Sequence, residues 1–551
     1  MTFSIAGFNL KKLQTYVDWK LLVFLLLFLD VKVAVKISAI IIIYLLQFNF
    51  KFGFSLKNSR LPLFYLLAIA IAFINLIINK SYNNPNYLVV FAIGIGFWLL
   101  CLLAVHQIKL SVENNTVQIL HNTILAFFII NAVVSLAILA YIMVDAHAIN
   151  PFRYQGQYQK YFLGTGDYIK GITFDISTTN AVINAFGVVY FLTRKMPLMV
   201  LNCMVILLLT ASNFMNIALL LVLAGLFTFK TNRDQKSIII VCCMFLIVFL
   251  AKISPQNNQY VHETFKNIIN PPHPPFKNSV ALNIADSSKD PDLVKRQFAK
   301  HYLDSLKALI SNHNASNQAV VMIPVSLPKT DAGRVILTGA DINTPPYQTP
   351  TDTPAEQRKL IAFINTHKTK LPLSGQDSFK INLPGKVIGF KQTVNFLKTH
   401  PAKILAGSGV GNFSSKLAFK ATGLDFSGGF PAKHIYINHN FLVNHLDVYL
   451  NFFSKRRELH SLTNSPFSVY DQLLAEYGLL GIAAFAIFYL GYFTKYLKTL
   501  TYGTPILMLM LAVFFTDYWF EQLSVVVFFE LLLLLNIKET ANLKPLNYEQ
   551  Q

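Results

Sequence analysis

The sequence predicts an all-α polytopic membrane protein of about twelve transmembrane helices, with a large, mostly helical extracytoplasmic loop between helices 9 and 10. Two observations predict this fold class. Of the 551 residues, 54% are hydrophobic and only 13% are charged, too little charge to cover the surface of a soluble protein of this length. The apolar residues are also gathered in long runs that almost exclude charge, as in membrane-spanning helices.

The apolar runs define the expected domains. The predicted helices cover about residues 19–30, 33–48, 61–79, 86–105, 118–144, 176–193, 196–211, 213–229, 237–253, 471–494, 504–520 and 523–537. An N-terminal membrane domain (1–254) is thus followed by the extracytoplasmic loop (255–470), the C-terminal membrane helices (471–538) and a tail (539–551).

Basic residues between the segments predict the orientation in the membrane. They follow the second, sixth, eighth and tenth segments, and they are Lys51, Lys57, Arg60, Arg194, Lys195, Lys230, Arg233, Lys236, Lys495 and Lys498. All fall on one side of the membrane if both termini are cytoplasmic, as the excess of Lys and Arg in cytoplasmic loops requires. Merging the first two segments would invert this pattern, so the count and the orientation support each other.

The net charge of +20 has two sources, the helix ends and the large loop. In a soluble protein such an excess would suggest nucleic acid, but no basic stretch here carries interleaved aromatic residues, so we expect no nucleic-acid partner. All four cysteines lie inside apolar runs, which predicts neither a disulfide framework nor a zinc site.

The large loop contains amphipathic stretches. Apolar residues recur at helical spacing over 298–309. They recur again after Pro384-Gly385, at Val387, Phe390, Val394 and Leu397. These patterns predict a small, mostly helical cap packed on the membrane domain.

The outer loop between the fifth and sixth segments carries a first candidate site. Arg153 offers a planar fork suited to phosphate, and Lys170 adds a point charge. Asp175 opens the sixth segment at a predicted helix N-terminus. The alternative interpretation is an interfacial belt of Tyr and Arg with an N-capping Asp.

A glycine-rich turn, Gly407-Ser-Gly-Val-Gly-Asn-Phe413, is the second candidate site. Glycines at this spacing let the backbone approach a ligand or another helix closely. The alternative is an ordinary turn.

The third candidate site is a basic and histidine-rich stretch before the tenth segment. Its members are Lys433, His434, His439, His445, Asp447, Lys455, Arg456, Arg457, Glu458 and His460. A basic cluster just outside a bilayer can hold a diphosphate head group, and a neighbouring histidine can take a proton from a hydroxyl. The histidine spacing fits no compact metal-ligand set, so no metal is predicted. A solvated basic face beside the membrane is the alternative.

Three acidic residues lie near or inside the last segments. Asp517 and Glu521 flank Tyr518-Trp-Phe at the outer end of segments eleven and twelve. Glu530 lies inside the last apolar run, where an ionisable group suggests function. We expect a structural pairing of Glu530 within the helix bundle.

Several motifs resemble the O-antigen ligase/O-antigen polymerase superfamily, integral membrane glycosyltransferases that use undecaprenyl-diphosphate-linked glycans. Glu476-Tyr-Gly478-Leu-Leu-Gly481 is similar to the family's final motif, a Glu-x-Gly-x-x-Gly that enters a membrane helix. The 407–413 turn looks like its Gly-Val-Gly turn, and the loop with Arg153 looks like its first functional arginine region. Thr210-Ala-Ser-Asn213 is similar to its Thr-Gly-Ser-Arg turn.

The chain departs from the family in three places. Phe467-Ser468 stands where a His-Asn pair precedes the last motif, and Asn213 stands where a second arginine is expected. Residues 270–380 have no counterpart and look like an insertion.

The resemblance implies glycosyl transfer on the outer face of the inner (plasma) membrane. The donor would be an undecaprenyl-diphosphate-linked glycan and the acceptor a hydroxyl of a glycolipid or glycan, with no cofactor and no metal. The residues expected to bind diphosphate or glycan are Arg153, Lys170, Lys433, Arg456, Arg457 and Glu476. His460 or His445 would act as general base, and Asp175 would orient a basic residue or bind sugar.

Two activities fit this expectation. A ligase would move a finished glycan to the lipid A core of lipopolysaccharide or to a protein, and a polymerase would join repeat units on the lipid carrier. A flippase or other transporter of lipid-linked polysaccharide is an alternative from another class, although the segments are nearly free of charge and no internal repeat is evident. A non-catalytic assembly subunit is a third alternative, because the His-Asn pair is missing.

Overall fold

A computed structural model describes most of the membrane part and a section of the large loop. The described residues are 14–56, 58–145, 169–229, 231–253, 384–421, 465–542 and the single positions 430, 431, 434, 436, 438, 440, 441, 445, 448 and 462. Throughout these ranges, every regular element is a helix. Arg153, Lys433, Arg456, Arg457 and His460 lie outside them, as does the amphipathic stretch 298–309.

The described part contains sixteen α-helices. The short helix Gly491–Thr494 is treated as the end of the helix before it, and the other fifteen are numbered. They are α1 (Trp19–Phe28), α2 (Val33–Leu46), α3 (Phe64–Ile78), α4 (Pro85–Asn114), α5 (Val117–Asp145), α6 (Ser177–Thr193), α7 (Pro197–Leu209), α8 (Asn213–Phe229), α9 (Arg233–Val248), α10 (Gly385–Thr399), α11 (Lys416–Ala421), α12 (Val469–Ala484), α13 (Gly503–Val513), α14 (Trp519–Gln522) and α15 (Ser524–Asn542). π-helical turns at Phe249–Ile253 and Phe485–Leu490 extend α9 and α12, the latter continuing as a helical turn at Gly491–Thr494.

The helices indicate a multi-pass membrane protein. Four are long and apolar enough to cross a membrane, at Pro85–Asn114, Val117–Asp145, Arg233–Ala251 and Val469–Thr494. Further apolar helices are shorter, among them α1 to α3, α7, α8 and α13. The number of twelve spans stays a prediction.

Each predicted segment has a helix, with one change near the C-terminus. The run predicted as one segment over 504–520 ends as a helix at Val513, and α14 follows separately. Buried polar groups occupy the connection between them, including Thr516 and Asp517. The apolar composition of the run hid this interruption.

Apolar side chains cover the outside of the bundle. Leu45, Ile77, Leu221 and Met508 are between 60% and 78% exposed. Such faces suit contact with lipid tails. Helix α6 is the opposite case, because it is buried from Ser177 to Leu192 and forms the centre of the bundle.

Two ionisable side chains are paired inside the bundle. The Lys36 ammonium donates hydrogen bonds to Phe28 O (2.7 Å) and Ser524 Oγ (2.7 Å). The Glu530 carboxylate accepts a hydrogen bond from the Tyr65 hydroxyl. Both side chains therefore tie α15 to the N-terminal helices, which is a structural use.

The helix bundle has two ends, and the basic loops lie together at one of them. Arg60 pairs with Glu113 at the end of α4, and Arg194 lies 3.4 Å from Glu539 in α15. Lys538 donates a hydrogen bond to Val112 O. The clusters that predict orientation are thus neighbours in space, and the opposite end, called the outer end below, carries α10, α11, α14 and the start of α12.

Helix α10 forms where the sequence predicts it, but only part of the predicted face is buried. Val387 and Phe390 are 41% and 43% exposed, whereas Leu397 of the same predicted stripe is buried. The buried side also includes Lys386, Thr393 and Phe396. The reason is tertiary, since the Lys386 ammonium donates to backbone carbonyls of neighbouring elements.

Candidate functional site

The glycine-rich loop 407–413 docks into a break in helix α12. The break is at Gly478, whose φ of 64° is outside the helical region. Four backbone hydrogen bonds join the two segments, from Ser408 N to Ala475 O (2.9 Å), Gly409 N to Glu476 O (3.0 Å), Leu479 N to Ile404 O (2.9 Å) and Leu480 N to Leu405 O (3.0 Å). The loop thereby satisfies peptide groups that the break removes from the helix.

Glycine is required on both sides of this junction. Gly407 has a φ of 84°, and a Cβ there would overlap the backbone carbonyl carbon of Glu476. A Cβ on Gly478 would lie 2.6 Å from Gly407 N. The contact is therefore backbone against backbone, which a larger residue would prevent.

The Glu476 side chain holds the loop from the other direction. Its carboxylate accepts hydrogen bonds from the backbone N–H groups of Gly411 (2.8 Å), Phe413 (3.1 Å) and Ser415 (3.1 Å). The residue is fully buried. Three backbone groups of the loop and of the residues that follow it thus converge on one carboxyl group, so this side chain fixes the loop conformation. A direct contact of Glu476 with substrate stays a prediction.

The loop lies within the bundle and below the outer end. Every residue from 406 to 415 is buried. Val410 packs on Gly94 of α4, where any Cβ would overlap the valine. Gly94 follows the start of α4 at Pro85 by about 13 Å along the helix axis. Irregular backbone at such depth is tolerated because protein encloses it.

Five charged side chains gather beside this loop. We call Asp175, Lys416, Lys420, Asp517 and Glu521 the outer-end cluster. The Glu521 carboxylate accepts hydrogen bonds from Leu417 N (3.0 Å) and Gln472 Nε2 (2.7 Å). Burial and the neighbouring Glu476 carboxyl raise the pKa of Glu521 to about 8, against the attraction of Lys416 and Lys420.

The two aspartates of the cluster are buried. Asp517 accepts hydrogen bonds from its neighbour's backbone N–H (Tyr518, 2.7 Å) and from Gln522 Nε2 (2.8 Å). Its burial raises the pKa of the Asp517 carboxyl, which Asp175 raises further and Lys416 lowers. Asp175 lies just before α6, where the sequence predicts it, and accepts a hydrogen bond from Thr179 Oγ1 (2.8 Å).

The lysines of the cluster are on α11 and partly exposed. Lys416 lies over the ring of Phe467, 5.8 Å from its centroid. Burial and the charge of Lys416 lower the pKa of Lys420, whereas Glu521 and Asp175 raise it. Acidic and basic side chains thus lie close together in the cluster, and Lys416, Lys420 and Glu521 are its partly exposed members.

Lys386 lies next to the Phe467-Ser468 segment that precedes α12. Its ammonium donates hydrogen bonds to Phe467 O and to Thr516 O (3.1 Å). Burial lowers the pKa of Lys386 to about 7, although Asp517 and Asp471 act to raise it. A cation therefore supports the backbone of the Phe467-Ser468 segment.

His445 is placed against the glycine-rich loop but is fully buried. Its ring stacks on Phe413 at a centroid distance of 5.2 Å, and its Nδ1 lies 3.1 Å from Gln392 Oε1. Burial lowers the pKa of His445 to about 3, so the imidazole is neutral at physiological pH. Lys170 is partly exposed and precedes the short 3₁₀ turn at Gly171–Thr173.

The structure brings some of the predicted site residues together and places further polar and charged residues beside them. Asp175 joins the outer-end cluster, and Glu476 meets the glycine-rich loop. Lys386, Lys416, Lys420 and Gln472 were not identified from the sequence. The lysines stand in short amphipathic stretches that resemble any solvated helix, so no local signal marks them.

Comparison with known proteins adds no relative. No protein-family model, no curated protein and no solved structure matches this chain.

Proposed function

We propose that the protein is an O-antigen ligase/polymerase-like glycosyltransferase of the inner membrane. It would move a glycan from an undecaprenyl-diphosphate carrier to an acceptor hydroxyl on the outer face. The observation that carries the proposal is the docking of the 407–413 loop on Glu476-Tyr-Gly478. These are two of the motifs on which the resemblance rests, and Gly411 and Glu476 are 65 residues apart in sequence.

The proposed chemistry depends on neutralising a leaving diphosphate. As the bond from the sugar to the diphosphate breaks, negative charge builds on the phosphate oxygens, and fixed cations next to it lower the barrier. Arg153, Arg456 and Arg457 are the proposed diphosphate ligands, because a guanidinium binds phosphate through two parallel hydrogen bonds. Lys170 and Lys433 would add charge at the same face.

An acceptor hydroxyl must lose its proton during the transfer. His460 and His445 are the histidines proposed for this step. His445 is neutral, as a base has to be, but its ring is enclosed. Asp175 would orient a cation or a sugar hydroxyl in the outer-end cluster.

Removal of the three arginines tests the proposal. A strain lacking the gene is complemented with wild type or with Arg153→Ala, Arg456→Ala and Arg457→Ala combined, and surface glycans are separated on a gel. We expect the triple variant to lose long-chain glycans. The control combines Arg233→Ala and Lys498→Ala, two exposed cations at the other end of the bundle, and keeps them. An unchanged glycan ladder in the triple variant would sink the proposal.

The deletion strain also separates the activities. Lipid-linked polymer that accumulates while the acceptor lacks long chains identifies a ligase. Absence of the polymer itself identifies a polymerase. Lipid-linked units trapped on the cytoplasmic face would instead identify a transporter and contradict glycosyl transfer.

A further inference from the structure

Glu521 is the one carboxylate of the outer-end cluster that is both partly exposed and fixed by two donors. The donors are Leu417 N and Gln472 Nε2, one on each oxygen. A carboxylate has about four acceptor positions, so the described contacts leave room for a further donor. The assignment made below rests on the proposed glycosyl transfer.

Two glutamines beside the carboxylates have acceptor oxygens to spare. Gln472 gives its amide N–H to Glu521, and Gln522 gives its own to Asp517. Within the described part of the chain, no donor reaches Oε1 of either side chain. Gln472 is only 4% exposed, and buried acceptors normally have a partner. A ligand rich in hydroxyl groups, such as a sugar, would supply the missing donors.

The lysines of α11 provide the opposite charge. Among the described residues, neither the Lys416 nor the Lys420 ammonium has a carboxylate within 4 Å. Both act electrostatically on Glu521, whose carboxylate binds the backbone between them at Leu417. An anionic group and a hydroxyl could thus be bound side by side.

We propose that Glu521, rather than His460 or His445, is the general base of the transfer and that Gln472 positions it. The Glu521 carboxylate takes the proton of the acceptor hydroxyl while that oxygen bonds to the anomeric carbon of the donor sugar. The bond from this carbon to the diphosphate oxygen breaks, and its electron pair leaves with undecaprenyl diphosphate. Lys416 and Lys420 stabilise the departing charge, and the proton on Glu521 is then released to water.

The charges around Glu521 suit such a role. Glu476 faces it from α12, Lys416 and Lys420 from α11, and Asp517 and Asp175 complete the cluster. A base is most effective when its pKa lies near the working pH, and burial raises the pKa of Glu521 to about 8. The rate should therefore rise with pH until this carboxyl is ionised.

The test uses full-length protein reconstituted in vesicles made from the total lipid extract of the deletion strain, which supplies donor and acceptor. Release of undecaprenyl diphosphate is measured by mass spectrometry between about pH 6 and pH 9. Glu521→Gln should lower kcat/KM by about 10²- to 10⁴-fold and remove the acid limb of the profile. Glu539→Gln, the same change in a mostly buried carboxylate at the other end, should keep both.

Three further measurements decide among the outcomes. In detergent, Glu521→Gln should bind undecaprenyl diphosphate as wild type does, which separates loss of a base from misfolding. If Glu521→Gln does not fold, Glu521→Asp decides, because a shortened base lowers the rate and keeps the acid limb, whereas a wild-type rate overturns the assignment. If His460→Ala removes the acid limb and Glu521→Gln does not, the base is the histidine.

The two proposals fail in different ways. Wild-type rate and pH profile in Glu521→Gln, with transfer by the wild type, would overturn this assignment alone. No release of undecaprenyl diphosphate by the wild type would overturn glycosyl transfer, and the assignment with it.

Discussion

Lys386 is a cation enclosed where several elements of the outer end meet. Its ammonium binds the backbone carbonyls of Phe467 and Thr516, which connects α10 to the segments before α12 and α14. Transfer from water into this site disfavours the charged form, and burial lowers the pKa of Lys386 to about 7. The unfolded chain, with a pKa near 10.5, keeps its proton more tightly.

This difference predicts how stability depends on pH. Between about pH 7 and pH 10.5 the unfolded state binds more protons at this residue than the folded state, so stability rises with pH. Lys386→Met removes the titration. We expect the Tm of the wild type minus that of the variant to increase over this range in detergent. Lys391→Met, at an exposed position on the same helix, is the control. If the Tm difference between wild type and Lys386→Met stays constant with pH, the explanation is refuted.

At the scale of elements, the break in α12 organises the candidate site. Gly478 turns the helix out of its path, and the peptide groups on either side bond to residues 404–409 instead of to the helix itself. Because the loop also receives the Glu476 carboxylate, loop and helix depend on each other for their hydrogen bonds. A substitution in either the loop or the helix should therefore loosen both.

Gly478→Ala should therefore destabilise this junction. The alanine would have to adopt a positive φ, which costs at least about 1 kcal/mol in backbone strain alone. Its Cβ would also lie 2.6 Å from Gly407 N. We expect a lower Tm and faster proteolysis of the loop. Gly491→Ala is the matched control further along the same helix, where the nearest atom would lie 3.5 Å away. Equal effects of the two substitutions would contradict the explanation.

The sequence predicts the helices better than it predicts their contacts. Long apolar runs locate the membrane helices because they need no information from elsewhere in the chain. The Pro384-Gly385 start of α10 is local too, and it is confirmed. Its buried face is predicted only in part. Leu397 is buried as predicted, but Lys386 also packs inward, toward carbonyls that are 81 and 130 residues away in the sequence.

In the candidate site, too, the sequence predicts local motifs but not the contacts between them. The resemblance selects Glu476 and the 407–413 loop as separate motifs, and their contact is visible only in the structure. Asp517 and Glu521 stand out in the sequence as acidic residues at a helix boundary. Their lysine partners on α11 do not, because charge at a short helix normally faces solvent.

At the scale of the whole molecule, the two ends differ in charge and in structure. One end contains the short basic loops, where Arg60 and Arg194 meet carboxylates of other helices. The other end contains the irregular segments, α10, α11 and the outer-end cluster. An orientation with the basic loops in the cytoplasm places the outer-end cluster, including Asp175 and Glu521, toward the outer side of the membrane, where a flipped lipid-linked glycan would be found.

This orientation predicts which positions a membrane-impermeant reagent can reach. The four native cysteines are first replaced by alanine, which leaves no background thiol. Single cysteines are then introduced by Lys398→Cys on α10 or by Arg233→Cys and Lys498→Cys at the basic end, all exposed positions. In intact cells a small charged thiol reagent should label only the first, because α9 and α12 cross the membrane between the ends. The other two should react only after permeabilisation. Labelling of all three positions in intact cells would mean that the helices do not carry the chain across, and the outer-face site would have to be abandoned.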